Sequence, residues 1–133
     1  MLQVVHVAQA KMHKNILVVD DEADIREAVK DVLESCLDNA SVQAVDSGAA
    51  ALDFMSHAKV DLIVTDYKMP GMDGVQLLKA IESLSPGLPH ILVTAFDREL
   101  LHDLGNQARG EHILQKPLDP ERLLREVERA LAR

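Results

Sequence analysis

Tryptophan is absent, and the chain has one tyrosine and two phenylalanines. Surfaces that stack nucleic-acid bases need aromatic rings, so this chain is poorly equipped for that role. Cysteine occurs once, as Cys36, so no internal disulfide can form, which fits a reducing compartment. Positive charge is also short: 14 Lys and Arg stand against 22 Asp and Glu, a formal net charge of −8. A nucleic-acid interface needs the opposite balance. Apolar runs reach about five residues, against roughly 20 for a membrane-spanning helix. The mild run Val4 to Ala8 is broken by His6, and no basic segment precedes it, so it is not a secretory signal. These absences together lead us to expect a cytoplasmic protein with no membrane span and no direct nucleic-acid binding. What remains is 133 residues, 47% hydrophobic and 27% charged. That composition makes one folded domain with an aliphatic core.

Residues 1–13 lack a clean period and read as an N-terminal extension to a domain over 14–133. From Asn15 the pattern is regular. Ile16 to Val19 is a short apolar, β-branched run that stops at Asp20-Asp21-Glu22. Similar strands are expected at Ser41–Val45, Leu62–Thr65, His90–Val93 and Ile113–Gln115. Between them lie helical patterns: Ile25, Val29, Val32 and Cys36; then Ala51, Leu52 and Met55; then Val75, Leu78 and Ile81. A weak helix is expected over Arg98 to Leu104. Asp119-Pro120 opens a last helix carrying Leu123, Leu124, Val127 and Leu131. Strands apolar throughout are covered on both faces, and alternation with helices makes the domain a doubly wound α/β fold with a parallel sheet.

In such folds the functional crevice lies at the carboxyl ends of the strands. There the sequence places Asp20 and Asp21, Asp66, Thr94 and Lys116, each where an expected strand ends. Crowded carboxylates repel one another and need a cation. Carboxylates with water suit Mg²⁺. A carboxylate beside a divalent ion, an ammonium and a hydroxyl can act as a nucleophile toward phosphorus. Taken singly, each residue has a plainer reading. The two Asp residues would serve as helix caps, Lys116 as a surface lysine and Thr94 as a strand end. Their joint position favours a site. The six histidines lack metal-ligand spacing, and Cys36, on the apolar stripe, reads as core packing.

The ordered set of Asp20-Asp21-Glu22, Asp66 followed by Met69-Pro70-Gly71-Met72-Asp73-Gly74, Thr94-Ala95 and Lys116-Pro117 resembles the receiver domain of two-component response regulators. The resemblance runs from about Lys14 to Arg133. It implies a flavodoxin-like sheet of order 2-1-3-4-5 with five helices. It implies Asp66 as phosphoacceptor, taking a phosphoryl group from a phosphohistidine. Mg²⁺ would be held by Asp21 directly, Asp20 largely through water, Asp66, and the backbone carbonyl of Lys68. Thr94 and Lys116 would contact the phosphoryl oxygens, and the Lys116–Pro117 bond would be cis. Lys68 and Phe96 would shape water access. The partners implied are a sensor histidine kinase or histidine phosphotransfer protein and a downstream protein, with docking near Ile25 and the loop after Lys116. The chain itself would be a monomer or weak dimer. It would act as a stand-alone receiver, or as a receiver excised from a larger protein, which would look the same, with no enzymatic turnover beyond its own phosphorylation and slow dephosphorylation.

Two places depart from the family pattern. Ile113 stands three residues before the lysine, where Tyr or Phe is common, and Arg109-Gly110 replaces a frequent Gly-Ala. A short or mobile helix at 98–104 and an unusual output face are expected from this. The alternative function is an interaction module of receiver fold that works without phosphate. A phosphatase of aspartyl-phosphate type is disfavoured, because Lys68 stands where a second acid would be needed.

Overall fold

The computed structural model describes residues 13–95 and 113–132. Five strands form one sheet: β1 (Lys14–Val19), β2 (Ala40–Val45), β3 (Leu62–Asp66), β4 (His90–Thr94) and β5 (Ile113–Gln115). All pairings are parallel and the order is β2-β1-β3-β4-β5. Four helices lie among the described residues: α1 (Ala23–Cys36), α2 (Gly48–Met55), α3 (Gly74–Leu84) and α4 (Pro120–Leu131). The helix expected over Arg98 to Leu104 lies outside the described residues, as do Phe96, Arg109, Gly110 and most of the N-terminal extension.

The period of two along each strand sorts its side chains onto the two faces. Ile16, Val18, Leu62 and Val64 pack with Val29 and Leu33 of α1 and with Leu123, Val127 and Ala130 of α4. Leu17, Val19 and Ile63 point the other way, onto Ala51 of α2 and Leu77 and Ile81 of α3. Both faces are therefore covered, which is why the middle of each central strand, Ile16–Val19 and Leu62–Val64, is apolar.

Helix starts follow local chemistry. Asp73 caps α3 in a reciprocal box: its carboxylate accepts from the Gln76 N–H at 2.8 Å, and its own N–H donates to Gln76 Oε1 at 2.9 Å. Ser47 Oγ accepts from the Ala50 N–H at 3.0 Å to open α2. Asp119 and Pro120 open α4 as expected.

The structure corrects one packing expectation. Cys36 is exposed rather than in the core. It is the last residue of α1, and Leu37, just beyond it, packs against the core instead. Leu33 and Leu77, both fully buried, take the central helix positions, while Val32 and Leu78 sit half-buried beside them.

Candidate functional site

Strand order and register bring the polar strand ends together. Val19 pairs with Thr65, so Asp20 and Asp66 follow side by side on adjacent strands. Asp66 pairs with Val93, one residue before Thr94, and Thr94 pairs with Gln115, one residue before Lys116. The Lys116 N–H donates to the Thr94 carbonyl at 2.7 Å, and the Lys116–Pro117 peptide is cis.

Asp20 and Asp66 are buried, only 4% and 6% exposed, whereas Asp21 is exposed. Buried carboxylates of this kind require a partner. Lys116 supplies it: its Nζ lies 3.2 Å from Asp66 Oδ1 and 3.8 Å from Asp20 Oδ2. The Tyr67 N–H also donates to Asp66 Oδ1 at 3.0 Å, and the Glu22 N–H donates to Asp20 Oδ1 at 2.9 Å. The Asp20 carboxylate thus closes the turn before α1 while also facing the site, but it is not the helix cap of the plainer reading, since Glu22 holds the N-cap position.

Burial, then the Asp20 charge beside it, raises the Asp66 carboxyl above its ordinary range, despite the opposing pull of Lys116 and of the Tyr67 N–H. For Lys116, burial disfavours the charged form. The hydrogen bond and charge of Asp66, with Asp20 and Glu22, outweigh that and raise it above the usual lysine range. The site therefore holds an ammonium that stays charged and a carboxylate whose charge is incompletely balanced.

Carboxylate oxygens of Asp20, Asp21 and Asp66 lie within 4.8 Å of one another. Hard oxygen donors, unbalanced negative charge and one exposed member open to water fit a small divalent cation such as Mg²⁺. Preferential binding to the folded state adds ~2.7 kcal/mol when the ligand stands at about 100 times its Kd. Mg²⁺ is accordingly expected to raise the melting temperature. Asp21→Ala is expected to reduce that rise while barely moving the metal-free melt. Circular-dichroism melts with and without Mg²⁺ check both, and a melt that Mg²⁺ does not move would argue against a metal centre.

Thr94 is at the site and buried, but its Oγ1 donates to the Ala95 carbonyl at 2.8 Å. Lys68 follows two residues after Asp66 with its side chain exposed. Ile113 is half-buried and packs against Leu92, as do Tyr67 and Val75. Sequence reasoning missed three contributors. Glu22 Oε1 lies 3.9 Å from Lys116 Nζ, Tyr67 supplies a main-chain donor, and Arg26 reaches the Asp20 carbonyl. Of these only Glu22 carried a signal, its place directly after the paired aspartates.

Comparison with known proteins agrees with this arrangement. The family model of the response regulator receiver domain matches residues 16–128. FleR, a response regulator protein of Pseudomonas aeruginosa, is 41% identical over 85 residues, which is 64% of this chain and 18% of FleR. The response regulator MprA of a Mycobacterium species is 34% identical over 122 residues, 92% of this chain and 52% of MprA. The chain thus spans about half the length of MprA and less than a fifth of FleR. Among solved structures, the chemotaxis response regulator CheY4 of Vibrio cholerae superposes with a TM-score of 0.78 at 29% identity, covering 90% of this chain and all of that one. Receiver domains of this kind act in two-component signalling, meeting histidine kinases and downstream effectors, and typically bind Mg²⁺. With nearly the whole of its sheet and its strand-end polar set inside the matched span, the chain belongs to the response regulator receiver domain family.

Proposed function

We propose that this domain is a phosphoacceptor: Asp66 takes a phosphoryl group from a partner's phosphohistidine in a reaction that depends on Mg²⁺. The observation that carries the reading is the buried Asp66 carboxylate, held 3.2 Å from Lys116 and beside a second buried carboxylate, Asp20. Asp20, Asp21, Asp66 and the backbone carbonyl of Lys68 are the groups that would hold the ion. Bound there, it would supply a Lewis-acid contact that offsets charge on the phosphoryl oxygens.

An oxygen of Asp66 forms the new bond to phosphorus as the bond to the donor imidazole nitrogen breaks, and the electron pair leaves on that nitrogen. Lys116, fixed by the carboxylates, offers its ammonium to a phosphoryl oxygen. Thr94 releases the Ala95 carbonyl and turns its hydroxyl to another. That exchange is the step by which phosphorylation changes the surface around β4 and β5. The protein is not an enzyme in the ordinary sense, since its product stays attached to Asp66 until water removes it.

An apolar groove of Ile25, Ala28, Val32, Pro117, Leu118 and Pro120 runs from Lys116 along α1. Its position beside the acceptor suits the docking of a histidine kinase or histidine phosphotransfer protein. No helix among the described residues is long and apolar enough to cross a membrane, and the reading places the domain in the cytoplasm.

Incubation with acetyl phosphate and Mg²⁺ is expected to add the mass of one phosphoryl group, read by intact-mass spectrometry. A chelator is expected to prevent the gain. No gain under conditions that label another receiver would instead favour a module that binds its partner without phosphate.

A further inference from the structure

We propose that Arg26 is a positioning residue for the magnesium site, holding the turn that carries Asp20 and Asp21. The inference rests on the reading that these carboxylates, with Asp66, bind the ion. Arg26 lies in the first turn of α1, half-buried, and its Nη1 donates to the backbone carbonyl of Asp20 at 2.9 Å. Its own N–H donates to the Glu22 carbonyl at 2.9 Å. The helix therefore grips the turn twice, through main chain at Glu22 and through side chain at Asp20.

The turn needs such a grip. Its carbonyl at Asp20 lies one residue past the end of β1, where strand pairing has stopped. Glu22, the N-cap residue of α1, makes no side-chain capping bond, so the usual device for fixing a helix start is missing here. The N–H of Asp20 is tied to Val45 of β2 at 3.1 Å, and one carboxylate oxygen is tied to the Glu22 N–H. The Arg26 bond completes the set and leaves Asp20 Oδ2 directed toward Lys116. Groups one step behind metal ligands orient them in this way and commonly matter for affinity.

Charge alone predicts the opposite effect. A guanidinium near three carboxylates repels a divalent cation, so its removal would tighten binding. The sign of the change therefore separates a tether from a mere neighbouring charge.

The test is a Mg²⁺ titration of the parent, Arg26→Met and Arg26→Lys, followed by tyrosine fluorescence. Tyr67 is the only tyrosine, no tryptophan masks it, and it directly follows Asp66, to which its N–H is bonded, so its emission reports from a residue next to the site, with calorimetry as the independent readout. Titrations run well below each protein's melting temperature, with folding checked by far-ultraviolet circular dichroism. Arg26→Met is expected to weaken Mg²⁺ binding about tenfold, the low end of what outer partners of metal ligands are worth. Arg26→Lys, which keeps the charge and a donor, is expected to fall between Met and the parent. Equal or tighter binding by a folded Arg26→Met overturns the tether, as does an Arg26→Lys no better than Met. A parent that shows no Mg²⁺ response by fluorescence or calorimetry overturns the metal reading itself, and the Arg26 proposal with it.

Discussion

Asp66→Asn is expected to lose all Mg²⁺-dependent phosphoryl labelling and yet to melt at a higher temperature than the parent when both are metal-free. The loss follows from chemistry: an amide oxygen is a poor nucleophile toward phosphorus and a poor ligand for a hard cation. The gain follows from electrostatics. Asp66 is buried, and its carboxyl is raised above the ordinary range by that burial and by Asp20, even with Lys116 at 3.2 Å. Charging it therefore costs folding free energy at neutral pH. Asparagine keeps the shape, and its oxygen can still accept from Lys116 and from the Tyr67 N–H. The sign with pH is fixed by the same shift. A carboxyl raised on folding carries its penalty above the folded pKa and none below the unfolded one. The advantage of Asp66→Asn should be largest near neutrality and should close as pH falls through the raised pKa of Asp66. Added Mg²⁺ should reverse the order, because only the parent gains from it. Thermal melts across pH, with intact-mass analysis, check each limb. A metal-free variant that melts lower at neutral pH would mean that Lys116 fully compensates Asp66. Labelling that survives would place the acceptor elsewhere.

The central strands were legible because they obey one constraint. A strand covered on both faces must be apolar throughout, and Ile16–Val19 and Leu62–Val64 have no other reading. The ends of those strands were legible for the same reason, since Asp20, Asp66, Thr94 and Lys116 stand where apolar burial stops. Helix faces were harder. Leu33 and Leu77 lie next to Val32 and Leu78, and either neighbour satisfies a three-and-four spacing. The choice depends on how each helix axis crosses the sheet, which is a tertiary property. Cys36 fell on the expected stripe but at the point where α1 ends, so periodicity continued past the surface that gives it meaning. Within the site, the approach of Glu22 to Lys116 and the reach of Arg26 to a carbonyl depend on rotamers and turn geometry. Neither has a period or a motif. The Thr94 hydroxyl shows the same limit: its place was readable, but its bond to Ala95 was not.

Gly74→Ala is expected to destabilise the domain and weaken the site together, although alanine is the better helix former. Gly74 is the first residue of α3, and its N–H donates to the Tyr67 carbonyl at 2.7 Å. A β-carbon there would fall inside contact distance of the Asp66 carbonyl oxygen, 2.8 Å from Leu92 Cδ1 and 3.0 Å from Tyr67 Cα. Two of those three neighbours are main chain and cannot rotate away. The Asp66 carbonyl is further held by the buried Thr65 hydroxyl at 2.9 Å. The start of α3 must therefore retreat from the end of β3, stretching the Gly74–Tyr67 bond and disturbing the loop that begins at Asp66. Overpacking of this kind costs about 1–3 kcal/mol, against a helix-propensity gain of at most ~1 kcal/mol. Gly48→Ala is the control. Gly48 also opens a helix, and its added β-carbon would meet Met72 Sδ at 2.8 Å. The sulfur belongs to a flexible, half-buried side chain which can move, and only Met72 Cβ and Cγ, both at 3.2 Å, resist by a few tenths of an ångström, so the cost should be clearly smaller than at Gly74. Urea unfolding midpoints separate the two variants, and Mg²⁺ titration shows whether the disturbance at Gly74 reaches the carboxylates. A Gly74→Ala as stable as the parent would mean that α3 shifts freely against β3, and that this contact does not set the position of Asp66.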